Sequence, residues 1–128
     1  MSKKQKILYP TKDIPEVILD PKGIIKLTGR LVSGNPRDFF KPIEKWIDEY
    51  FRNPAKITFV EISLEYIDSS GTKYLYDIIH KITNIHLEKN EKKFVINWYY
   101  EEDDEDMLER GTFYSSNLDV PINFIKII

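Results

Sequence analysis

Tyr66-Ile67-Asp68-Ser69-Ser70-Gly71-Thr72-Lys73 is the stretch on which the fold turns. It closes an apolar run from Ile57 to Leu64 and opens a helical pattern that continues to about His86. Upstream, Ile57, Phe59, Val60 and Ile62 make Lys56 to Leu64 a mostly apolar strand. Downstream, Leu75, Ile78, Ile79, Ile82 and Ile85 recur at helical spacing. The octet is therefore a strand-to-helix junction crowded with hydroxyls. At such a junction the first backbone N–H groups of the helix lack partners and its dipole favours negative charge. A phosphate can be bound there, or carried covalently.

Working outward, Glu16 to Asp20 reads as a strand and Ile24 to Gly29 as its return. Asp20-Pro21-Lys22-Gly23 supplies the turn between them, with Pro fixing φ and Gly free to take a positive one. Ser33-Gly34-Asn35-Pro36 is a loop leading into a helix. Asn35 suits its cap, Pro36 its first position, and Asp38 its first turn. Phe39, Ile43, Trp46, Ile47 and Tyr50 form its apolar stripe. Pro42 either kinks this helix or starts its regular part, and Asn53-Pro54 ends it. Lys93 to Tyr100 is the most β-prone run of the chain. Glu101 to Asp106 is unbroken acid, and with the residues to Gly111 it reads as a loop or short helix. Ile122 to Ile127 is the last strand. The order ββαβαβ(α)β implies an α/β fold with a mixed sheet of about five strands and helices mainly on one face.

Composition narrows the function. At 128 residues the chain reads as one domain, residues 1–128, with 1–6 a disordered basic tail. Lys and Arg total 19 against 21 Asp and Glu, and the basic cluster Lys3, Lys4 and Lys6 lies in that tail. Outside that tail no basic cluster points to a face for nucleic acid. The absence of cysteine excludes disulfides, thiolate zinc sites and cysteine nucleophiles. No apolar run approaches the ~20 residues of a membrane span, so no membrane partner is expected and the expected compartment is the cytoplasm.

Several constellations compete with the junction. Ser70-Gly71-Thr72-Lys73 fits Ser-x-x-Lys, a nucleophile–base spacing that would make the chain a small hydrolase using Ser70 and Lys73. The companion motifs of such enzymes are missing. Glu101 to Asp106 lacks the spacing and glycine of a calcium loop and reads as a solvated or partner-facing segment. His80 and His86 are not spaced as paired ligands on one helix face. No metal, cofactor or catalytic residue is expected. Trp46, Trp98 and Tyr99 read first as core.

Asp68-Ser69-Ser70-Gly71 resembles the phosphorylation site of STAS-domain anti-sigma-factor antagonists, where the serine after the aspartate is modified. Nearly the whole chain resembles the SiaC family of bacterial regulatory phosphoproteins, which are STAS-like. The likeness rests on Gly29-Arg30; on Asn35, Phe39, Pro42-Ile43 and Trp46; on Tyr66 to Lys73; and on Trp98-Tyr99-Tyr100 followed by Glu102 to Met107 and Gly111. Two departures stand out. The family's Asn-Thr/Ser-Ser-Ser is here Asp68-Ser69-Ser70-Gly71, and its Pro-Glu before the asparagine is here Ser33-Gly34. The resemblance implies a non-catalytic signalling protein phosphorylated at Ser69. Its partners would be a cognate serine/threonine kinase, a PP2C-type phosphatase, and a diguanylate cyclase that the unmodified form activates. The anti-sigma-like tetrad implies instead a sigma-factor regulator as target. Asp68, Ser70, Gly71, Thr72 and Lys73 would shape the kinase and partner surface, with Ser70 and Thr72 as alternative acceptors.

Overall fold

The computed structural model describes residues 4–32, 34–89 and 93–127, with backbone alone for 86–89. His86 as a side chain, Lys3 of the basic tail and Ser33 of the loop lie outside the described residues. The elements are β1 (Lys6–Leu8), β2 (Glu16–Asp20), β3 (Ile24–Leu31), α1 (Pro36–Tyr50), β4 (Ile57–Ile67), α2 (Ser69–Lys89), β5 (Lys93–Glu101), α3 (Glu105–Leu118) and β6 (Ile122–Ile127). They form one six-stranded sheet in the order β1-β2-β3-β4-β5-β6.

The sequence reading missed one strand. Lys6, expected in a disordered tail, opens β1, which pairs antiparallel with β2 through Ile7 opposite Ile18. The β2–β3 hairpin turns as its residues require: Gly23 adopts φ +113 and its N–H donates to the Asp20 carbonyl at 2.9 Å. An added Cβ at Gly23 would stand 2.4 Å from the Ile57 carbonyl oxygen.

β3, β4, β5 and β6 are mutually parallel. Each is joined to the next by a helix, and consecutive right-handed crossovers advancing in one direction lay all three helices on the same face. Burial follows. Val60, Ile62, Leu64, Ile67, Ile96 and Trp98 point into the helix layer, where Ile43, Ile47, Leu75, Ile78, Ile79 and Ile82 meet them. The alternate residues Ile24, Ile57 and Phe59 stay more than a third exposed on the open face. There Glu61 accepts from Asn97 Nδ2 at 2.6 Å and from Tyr99 Oη at 2.7 Å. The Tyr99 phenol is raised above its ordinary value mainly by that bond to Glu61, then by burial.

Pro42 lies inside α1, which runs through it. Asn35 holds the N-cap position without a side-chain capping bond, and its amide donates to Asp38 Oδ2 at 3.0 Å. The acidic run divides among the end of β5, a turn and the start of α3. Glu101 ends β5, Asp104 caps α3 by accepting from the Met107 N–H at 3.0 Å, and Glu105 and Asp106 occupy the first turn of α3. Carboxylates there face the positive end of the helix dipole. What reads in sequence as a loop or short helix is a helix of 14 residues.

Candidate functional site at the strand to helix junction

The junction lies at the carboxyl end of the parallel strands, where β4 gives way to α2. β4 runs to Ile67 rather than Leu64, past a register shift in its pairing with β3 between Gly29 and Arg30. Asp68 is then the hinge between strand and helix. Its N–H donates to the Leu31 carbonyl at 3.0 Å, which fastens it to the end of β3. Its Oδ1 accepts from the Gly71 N–H at 2.8 Å, the bond by which an aspartate caps a helix N-terminus.

The three candidate hydroxyls fare differently. The Ser70 hydroxyl donates to Asp68 Oδ1 at 3.2 Å. The Thr72 hydroxyl donates back to the Asp68 carbonyl at 2.8 Å and is half-buried. Ser69 occupies the first helical position, is exposed, and among the described residues its hydroxyl engages no partner. Lys73 is exposed one turn further on, in the i,i+4 relation to Ser69 that shares a helix face.

Gly71, expected to help shape the partner surface, faces the core instead. It is buried, and an added Cβ would stand 2.8 Å from Leu31 Cδ2 and 3.1 Å from Ile67 Cγ1. Glycine here lets the first turn of α2 press onto the strand ends. The first turn of α2 is thus seated on the core by one face and exposes Ser69 on the other.

Neighbouring side chains complete the surroundings. Arg30 stacks over the exposed Tyr66 ring at 5.5 Å, at the ends of β3 and β4. Arg37, in the first turn of α1, is raised above its ordinary value chiefly by a hydrogen bond to Tyr74 of α2. The Tyr74 ring stacks on Phe40 at 5.8 Å. Sequence reasoning missed these contacts, and also the hydroxyl of Tyr114, which reaches from α3 to the Thr72 carbonyl. Among the described residues, no three His, Asp or Glu side chains gather as a metal site, and no helix is long and apolar enough to cross a membrane.

The class this arrangement defines is a small α/β domain with its helices on one face and a serine at the mouth of α2. The chain belongs to the SiaC family of regulatory phosphoproteins, whose sequence pattern matches residues 8–127. The family is described as one of regulatory phosphoproteins. Three solved structures share the fold. Apo-SiaC from Pseudomonas aeruginosa superposes with a TM-score of 0.81 at 16% identity, over 98% of this chain and 100% of that one. The SiaC in the crystal structure of diguanylate cyclase SiaD with its activator SiaC, from the same organism, gives 0.85 at 16% identity, over 95% and 99%. A further SiaC structure from that organism gives 0.80 at 16% identity, over 96% and 97%. No curated protein matches the sequence significantly.

Proposed function

We propose that this chain is a non-catalytic cytoplasmic signalling protein whose partner binding is switched by phosphorylation of Ser69. A serine/threonine kinase of the anti-sigma-factor type adds the phosphate and a PP2C-type phosphatase removes it. The unmodified form binds and activates a diguanylate cyclase, as the similarly folded SiaC is described as doing for SiaD.

The observation that carries this reading is the state of the three hydroxyls. Ser70 and Thr72 are bonded to Asp68, while Ser69 is exposed and uncommitted at the helix mouth. Phosphorylation there adds roughly −1.5 to −2 charges. Asp68 is a like-charged neighbour whose Oδ1 already holds the Gly71 N–H. The phosphate therefore projects outward, where it repels a docked partner and burdens the interface with a strongly hydrated group.

Incubation with kinase and ATP followed by peptide mass spectrometry should place one phosphate on Ser69. Ser69→Ala should stop modification while leaving the fold and cyclase activation intact, and Ser69→Asp should weaken cyclase binding. Modification confined to Ser70 or Thr72 would sink the assignment. Recovery of a sigma-factor regulator in place of a cyclase, in pull-downs with wild type against Ser69→Asp, would reassign the target and leave the switch standing.

A further inference from the structure

The acceptor turn is tethered to a helix far along the chain. Helix first turns fray because their N–H groups lack partners, and three bonds steady this one from its own turn and the adjacent strand. They are Gly71 N–H to Asp68 Oδ1 and Thr72 N–H to the Asp68 carbonyl within the turn, and Asp68 N–H to the Leu31 carbonyl at the end of β3. A fourth comes from another helix: the hydroxyl of Tyr114, in α3, donates to the Thr72 carbonyl.

Tyr114 is itself immobilised. It is 1% exposed, and its ring meets Trp98 edge-on at 5.3 Å and Tyr76 at 5.4 Å. Trp98 is held in turn by its indole N–H, which donates to the Met107 carbonyl at 2.9 Å. Gly111 makes room for that indole, since a Cβ there would stand 2.8 Å from Trp98 Nε1. The chain of contacts runs from the first turn of α3, through Trp98 and Tyr114, to the first turn of α2. The residue before Tyr114 is Phe113, which faces outward at 57% exposure.

Resting on the reading of Ser69 as the phosphoacceptor, we propose that Tyr114 is a positioning residue for phosphate transfer. By holding the Thr72 carbonyl it fixes the first turn of α2 in helical register, so that Ser69 meets the kinase in one orientation, set relative to α3. The tyrosine touches neither phosphate nor hydroxyl acceptor and acts only through the turn. Burial holds its phenol well above the ordinary range, so the hydroxyl stays a donor at any working pH.

The test compares Tyr114→Phe with Tyr50→Phe as a matched control. Tyr50 is also buried, and its hydroxyl bonds Thr58 Oγ1 at 2.7 Å and the Ala55 N–H at 3.1 Å, at the opposite end of β4. Steady-state phosphorylation by an anti-sigma-type kinase with ATP is measured alongside amide hydrogen exchange. Loss of one hydrogen bond predicts that Tyr114→Phe lowers kcat by about 3- to 10-fold with little change in KM. Exchange should quicken in residues 69–73 and stay unchanged in β4 and β5. Tyr50→Phe should leave kcat unchanged. Tyr114→Phe matching wild type, or slowing transfer no more than Tyr50→Phe, overturns the proposal. So does exchange that quickens evenly across the chain, which marks a purely structural bond. Undiminished phosphate uptake by Ser69→Ala overturns the acceptor assignment itself and this inference with it, and that arm is read independently of the tyrosine variants.

Discussion

Asp68 uses one carboxylate oxygen for two bonds, to the Gly71 N–H and to the Ser70 hydroxyl. Asp68→Ala removes the cap and should lower stability by about 0.5–2 kcal/mol, read as a fall in the urea midpoint. It also removes the bond from the Ser70 hydroxyl to Asp68, so on the proposed reading phosphate should spread from Ser69 to Ser70 in peptide mapping. Thr28 offers the opposite sign. Its Oγ1 is buried with no partner among the described residues. Thr28→Val keeps the shape and removes the unsatisfied oxygen, so it should raise stability by up to about 1 kcal/mol, measured in the same titration. Tyr114 brings a pH dependence. Burial is the main force raising its phenol above its ordinary value, with Arg110 opposing and Asp77 and Tyr76 adding to the rise. The folded state therefore favours the neutral phenol. Its contribution is fully present below about pH 10, the unfolded value, and is lost as pH climbs above that. Stability should decline in strong alkali, and Tyr114→Phe, having no proton to lose, should decline less steeply. At this scale the place of Ser69 at the strand-to-helix junction was legible, since it follows a strand and precedes an apolar helical stripe. Tyr114 was not, because its role depends on α3 packing against Trp98, which only Gly111 permits.

Among the elements, those with strong periodicity were read close to their limits. β2 and β6 fall where alternation and turn residues put them, and α1 ends at Tyr50 before Asn53-Pro54. β1 was invisible because Lys-Ile-Leu is too short to carry a pattern and exists as a strand only by pairing with β2. α3 was underread for a related reason. Its start is acidic and its middle holds Gly111, both poor signs of a helix in isolation, yet Asp104 caps it and Met107 and Tyr114 anchor it in the core. Pro42 shows tertiary burial overriding propensity. It removes an interior donor from α1, while Phe39, Phe40, Ile43, Trp46 and Ile47 bury the face around it. Pro42→Ala should restore the missing bond and raise the melting temperature, by several degrees for each ~1 kcal/mol gained. The ion pair from Lys81 to Asp48 at 2.8 Å links α2 to α1, but both side chains are a third or more exposed. Asp48→Asn should therefore cost well under about 1 kcal/mol, a difference calorimetry can set against the larger effect of Asp68→Ala.

For the molecule as a whole, the sheet covers itself with helices on one side and leaves the other open. The open side mixes exposed Ile24, Ile57 and Phe59 with the polar ladder from Glu61 through Asn97 to Asn123, where Asn123 Nδ2 donates to Asn97 Oδ1 at 3.1 Å. Two strong apolar helix stripes predicted that mainly one face would be covered, and burial alternates along β4 accordingly. The sequence could not say that β3 to β6 would line up without a reversal, since strand order depends on which neighbours the crossovers choose.

That unreversed order carries a consequence for how the chain is made. Strands lie side by side in the order in which a ribosome would release them. Every strand after the first meets a finished edge directly upstream of it, and none waits for a partner still to be synthesised. Assembly can therefore follow translation one strand at a time, with the exposed growing edge moving from β2 to β6. The first and last strands end on opposite rims, roughly 24 Å apart at the usual spacing between strands. A circular permutant joining them would need a bridge across the whole sheet, and its new order of synthesis would lose this stepwise path.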